Sequence, residues 1–120
     1  MAEDTFVIEG LAGKKTLSGA IEVSGMKNTV LPVMAAATLL EGEAMLENVP
    51  DIADVSAMSR LLEGMGAFVA RTKNKLSVSA KALSGSVLEP SAAKSLRASI
   101  LLTGPILARL GQVTFPHPGG

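Results

Sequence analysis

Residues 29–40 read Thr-Val-Leu-Pro-Val-Met-Ala-Ala-Ala-Thr-Leu-Leu, with almost no polar side chain. The run is read as a helix. A helix without a polar face is normally buried on all sides. Pro32 is tolerated if it falls in the first turn. Ala35, Ala36 and Ala37 let neighbouring elements approach closely. A chain of 120 residues holds one modest core. The fold must therefore wrap this helix or lay it against a partner piece. Neither this run nor the second one, 100–110, is long or uninterrupted enough to span a bilayer.

Directly before the run stands Ser24-Gly25-Met26-Lys27-Asn28. Unpaired N–H groups and the positive end of the helix dipole gather at a helix N-terminus and attract anions. A phosphate or carboxylate would meet those donors together with the Lys27 ammonium and the Asn28 amide. The same five residues read equally well as a glycine turn with an exposed lysine and Asn28 as N-cap.

The core has to be aliphatic. Apolar residues make up 48% of the chain, yet it has no Trp, no Tyr and only three Phe. With 11 basic and 11 acidic residues the net charge is zero, against the basic surplus that nucleic-acid binding by bulk charge needs. Scarce aromatics also remove base-stacking platforms. No cysteine means no disulfide, zinc-thiolate site or thiol nucleophile within these residues, and His117, the one histidine, cannot make a metal site by itself. The acidic start Met1-Ala2-Glu3-Asp4 lacks a signal pattern, so a soluble cytoplasmic protein is the default expectation.

In order, residues 6–10 read as a short strand and 11–15 as a turn. Residues 16–24 read as a second strand with Gly19 at a bulge. After the apolar helix, 44–49 is a strand stopped by Pro50. Asp51 is placed as the cap of an amphipathic helix carrying Ile52, Val55, Met58, Leu61, Leu62 and Met65, with Gly66 as its stop. Residues 68–71 and 76–79 form a hairpin around 72–75. Residues 80–90 are a loop. A long helix from 91 to about 110, kinked at Pro105, carries Ala92, Leu96, Ile100 and Leu107 as apolar members. Residues 112–115 start a last strand. Helices alternating with strands give an α/β layered fold. On the long helix Arg97 offers a planar fork that suits phosphate or carboxylate, although an exposed helix arginine is the commoner case. No acid/base pair, nucleophile triad or P-loop is visible.

Taken together, Val23-Ser24-Gly25-Met26-Lys27-Asn28, Leu46-Glu47-Asn48-Val49-Pro50 with Asp54-Val55, Leu96-Arg97-Ala98-Ser99, Gly104-Pro105 with Ala108-Arg109, and Pro118-Gly119-Gly120 resemble the opening of an enolpyruvyl transferase. The resemblance runs in order over residues 6–120. It implies a βαβαββ unit of the inside-out α/β barrel, incomplete here. Residues 1–20 would be N-terminal strands belonging with the other domain. Residues 21–120 would be the first unit and the start of the second. The implied reaction moves the enolpyruvyl group of phosphoenolpyruvate onto the 3-hydroxyl of UDP-N-acetylglucosamine, the first committed step of peptidoglycan synthesis, with no metal or organic cofactor. Lys27 would contact phosphoenolpyruvate, Asn28 the sugar nucleotide or the pyruvyl part, and Arg97 the anionic pocket. The general acid, Cys or Asp, is expected just after Gly120. The resemblance thus implies an N-terminal fragment, inactive alone and partnered by the missing remainder of the chain. The alternatives are the shikimate-pathway branch, whose corresponding turn is richer in Ser and Arg, and a non-catalytic α/β anion-binding or interaction domain.

Overall fold

The computed structural model describes residues 4–117. The expected Pro118-Gly119-Gly120 lead-in lies outside them. The apolar run becomes helix α1, Lys27–Ala37. Strand β1, Glu43–Leu46, follows, then helix α2, Ala53–Gly64, and the hairpin β2, Phe68–Thr72, and β3, Lys75–Ser79. The three strands form one sheet in the order β1-β3-β2, antiparallel throughout. Pairing sets Ala44 opposite Val78, Leu46 opposite Leu76 and Val69 opposite Val78. Strand side chains alternate faces, so these apolar residues share the inner face with α1 and α2. Leu76 and Val78 are buried there. On the outer face Ser77 is hydrogen-bonded to the Glu43 carboxylate, while Met45 and Phe68 are exposed.

Helix α2 realises its periodicity closely. Val55, Met58, Leu61 and Leu62 are buried, Met65 follows, and Gly66 turns the chain at φ 97°, where a side chain would be strained. The cap differs from expectation. Ile52, not Asp51, is the N-cap and makes no side-chain bond, because Asp51 faces out toward Arg71 at 3.6 Å.

Four further expectations are corrected. Helix α1 starts two residues earlier than read, so Met26 is the N-cap, Asn28 lies inside the first turn and Pro32 in the second. It is buried only through Val30, Leu31, Met34, Ala35 and Ala37, while Pro32, Val33, Ala36 and Leu39 stay exposed. The long C-terminal helix is broken into α3, Pro90–Ser95, a 3₁₀ helix, Arg97–Leu102, and α4, Thr103–Leu110. The break is Leu96, whose extended backbone (φ −126°, ψ 106°) drives its side chain into the core. Pro105 then sits in the first turn of α4 and causes no kink. Burial falls on Ala93, Leu96, Ser99, Leu102 and Ile106, leaving Ile100 and Leu107 exposed. Residues 6–10 and 16–24 form no strand, because no described strand offers them a ladder, and Gly19 marks no bulge. Residues 112–115 reduce to a single bridge, Thr114 to Val87.

Arg109 of α4 reaches back to the end of α1. Its guanidinium donates to the carbonyls of Thr38 at 2.8 Å, Leu40 at 2.9 Å and Ala80 at 3.0 Å. Helix α1 has no basic residue in its own last turn, so a remote arginine satisfies its C-terminal end.

Candidate anion-binding cleft

The position of the α1 N-terminus is set by a backbone crossing. Asn48, held at φ 55°, accepts from the Gly25 amide at 3.1 Å and donates to the Val23 carbonyl at 3.3 Å. A Cβ on Gly25 would lie 1.8 Å from the Asn48 carbonyl oxygen, so only glycine lets the two segments touch. From that anchor the chain turns into α1, with the amides of Thr29 and Val30 bonded to the Met26 carbonyl. The amides of Lys27 and Asn28 have no acceptor among the described residues. They are donors left open by the start of the helix.

Lys27 and Asn28 line a cleft of about 450 Å³ with Leu31 and Pro32 of α1, Asp54 of α2, and Arg97, Ala98, Ile100 and Leu101 of the 3₁₀ helix. The three residues singled out in the sequence, Lys27, Asn28 and Arg97, therefore share one opening although 70 positions separate the first from the last. The break at Leu96 makes this possible: it turns the chain so that Arg97 begins a new helical segment packed against α1. Its lining combines apolar side chains with two cations, one carboxylate and one amide. Neither Arg97 nor the Asn28 amide has a hydrogen-bond or ion-pair partner among the described residues. Lys27 has one: its Nζ lies 2.5 Å from Asp54 Oδ2.

Sequence reasoning missed Asp54 as a cleft residue. Its signals were its place in the Asp54-Val55 motif and an acidic side chain in the first turn of α2, neither of which points to Lys27. His117 is exposed and does not line the cleft. A second opening of about 470 Å³ surrounds Arg71, but that guanidinium is already committed to the carbonyls of Lys73, Val49 and Pro50. Its role is to hold the Asn48–Asp51 bend against the hairpin. Among the described residues no cluster of His, Cys, Asp or Glu could hold a metal ion, and no helix is long and apolar enough to cross a membrane.

The helix-on-sheet α/β unit thus brings an uncapped helix start, an arginine, a lysine, an amide and one carboxylate together around one cleft. The chain belongs to the EPSP synthase (3-phosphoshikimate 1-carboxyvinyltransferase) family, whose pattern it matches over residues 11–119. It is 46% identical over 121 residues to the UDP-N-acetylglucosamine 1-carboxyvinyltransferase of Bradyrhizobium diazoefficiens, an alignment covering 100% of this chain and 27% of that protein. To the enzyme of the same name from Anaeromyxobacter sp. (strain K) it is 45% identical, covering 98% of this chain and 28% of that one. Among solved structures, the enolpyruvyl transferase NikO from Streptomyces tendae matches with a TM-score of 0.70 and 25% identity, over 78% of this chain and 22% of that chain. The chain thus spans about a quarter of the length of the curated relatives it matches. The enolpyruvyl transferase resemblance and the α/β fold class read from the sequence are borne out.

Proposed function

We propose that this chain forms one wall of the substrate pocket of an enolpyruvyl transferase acting on UDP-N-acetylglucosamine and phosphoenolpyruvate. The observation that carries the reading is the meeting of Lys27, Asn28, Arg97 and the open α1 amides in one cleft. The names of the curated relatives favour the sugar nucleotide over the shikimate branch. The domain division belongs to the same proposal: residues 1–20 dock on the other domain, and 21–120 supply the first unit and the start of the second. The exposed Phe6, Val7 and Ile8 support it. A cytoplasmic place in peptidoglycan synthesis follows from the substrates.

In this reading the sugar 3-hydroxyl gives up its proton to a base as its oxygen adds to C2 of phosphoenolpyruvate, and C3 gains a proton from an acid. The tetrahedral adduct then loses phosphate and a C3 proton to restore the enol ether. Both phosphate and carboxylate are anionic throughout. Lys27 and Arg97 hold these charges, and Asn28 orients the reactants by hydrogen bonding. Preorganised donors of this kind stabilise charge as it shifts between C2 and the leaving oxygen. The cleft's one carboxylate, Asp54, is already paired with Lys27. No described cleft side chain stands ready to protonate C3, so this chain by itself is expected to bind without turnover.

The test is a titration of phosphoenolpyruvate into the ¹⁵N-labelled chain, with a phosphate-release assay run on both substrates. Amide shifts at Lys27, Asn28, Ala98 and Leu101, lost in Lys27→Met and Arg97→Met, are the expected result. Shifts elsewhere, or none, overturn the reading, and phosphate release by the chain alone overturns its division of labour.

A further inference from the structure

Of the three donors on the cleft rim, two are open and one is not. The Lys27 ammonium is taken by Asp54 at 2.5 Å, although both side chains keep solvent access, 55% for Lys27 and 30% for Asp54. Asp54 stands in the first turn of α2, where the helix dipole favours its negative charge. Its carboxylate also lines the cleft. It is therefore an anion fixed where a ligand anion would sit.

We propose that Asp54 is a specificity-determining residue: a built-in competitor that occupies Lys27 until an incoming anion also engages Arg97 and Asn28. The proposal rests on reading the cleft as an anion site. With Asp54 the charged groups on the rim total one net positive charge; without it they total two. A small anion such as inorganic phosphate gains little here, because it must displace one carboxylate to replace it with another anion. A ligand with two separated anionic groups, a phosphate and a carboxylate, gains contacts at both ends of the cleft and displaces the pair. Half-exposed pairs of this sort are weak, so the displacement is readily reversible. Asp54 thus sorts ligands by how many donors they reach rather than by how tightly they bind one.

The experiment titrates inorganic phosphate, followed by amide shifts, into the wild-type chain, Asp54→Asn, Lys27→Met and the double variant Asp54→Asn/Lys27→Met. Removing a like charge about 5 Å from a dianion in a hydrated site is expected to tighten phosphate binding roughly three- to tenfold in Asp54→Asn. The gain over Lys27→Met should be clearly smaller in the double variant, because only the direct repulsion by Asp54 is left to remove once its hold on Lys27 is gone. In the unliganded chain, relaxation of the Lys27 Cε group should report greater mobility in Asp54→Asn. A merely structural role predicts the opposite sign, weaker binding on loss of Asp54. Asp54→Ser, read by the same criteria, guards against a folding defect peculiar to the asparagine. If phosphate binds and Lys27→Met weakens it, while both Asp54 variants bind as the wild type does or more weakly, the inference is overturned and the cleft reading stands. If phosphate moves no cleft amide in any variant, the cleft reading falls and the inference with it.

Discussion

At the scale of single residues the fold depends on a few contacts between segments far apart in sequence. Gly25 is the sharpest. An added Cβ would meet the Asn48 carbonyl at 1.8 Å, and a backbone atom cannot swing aside as a side-chain tip can. Gly25→Ala is expected to cost about 1–3 kcal/mol in denaturant unfolding and to weaken phosphoenolpyruvate binding, since the start of α1 must move. Asn48→Gly keeps the positive φ and removes both side-chain bonds, so about 1–2 kcal/mol should be lost in the same measurement. Glu89 gives a pH-dependent case. Its carboxylate accepts from the Ser91 hydroxyl and from the amides of Ser91 and Ala92, capping α3, and these bonds hold its pKa below the ordinary glutamate value. The folded-state pKa is depressed, so the stabilisation is present above the unfolded-state pKa and is lost as pH falls through the folded one. Unfolding of wild type and Glu89→Gln should therefore differ at pH 7, and the gap should close as the pH falls through and below the usual carboxylate range. Lys27, Asn28 and Arg97 were legible because each is a donor beside an apolar helical stretch. Asn48 and Asp54 stood in motifs that carry the resemblance, but their contacts were not legible, because their partners lie 23 and 27 positions away.

At the scale of elements, period and hairpin chemistry were readable and breaks were not. Helix α2 and the β2–β3 hairpin follow from the spacing of their own residues. Residues 91–103 contain no local stop, so a helix running straight through Leu96 is the natural reading. The interruption at Leu96 comes from packing, which rewards turning that leucine inward more than continuing the helical bonds. Strands fail in the other direction. Residues 6–10 and 16–24 have strand composition, but a ladder needs a second strand, and composition cannot say whether one is there. Helix α1 ends on borrowed chemistry, because three carbonyls converge on Arg109 from positions up to 71 residues away. Arg109→Met keeps much of the side chain's volume and removes all three bonds. It should lower stability by about 2–3 kcal/mol and speed amide exchange at Leu39 and Leu40, while Arg109→Lys, which cannot fork, recovers only part.

At the scale of the whole molecule, the dimensions separate a packed body from an extended arm. The radius of gyration is 18.1 Å and the long axis 61 Å. A compact chain of this length would have a radius of roughly 13–14 Å. The excess lies at the N-terminus, where Phe6 is 93% exposed and Ile21 92%, and Val7, Ile8 and Leu17 are scarcely more covered. Side chains left in water contribute almost nothing to hydrophobic stabilisation, since that term scales with the apolar area removed from solvent. The arm's last residues are the exception, because Val23 and Gly25 are tied to Asn48. A cut after residue 20 spares that tie. Removing residues 1–20 is therefore expected to shift the unfolding free energy by less than about 1 kcal/mol. The denaturant slope should stay unchanged, because that slope follows the surface exposed on unfolding and the arm exposes none. Small-angle scattering of the shortened chain should give a radius near 13 Å. A lower unfolding midpoint with a shallower slope would mean that the arm packs on the body in solution, and that its apolar side chains already have a surface to cover.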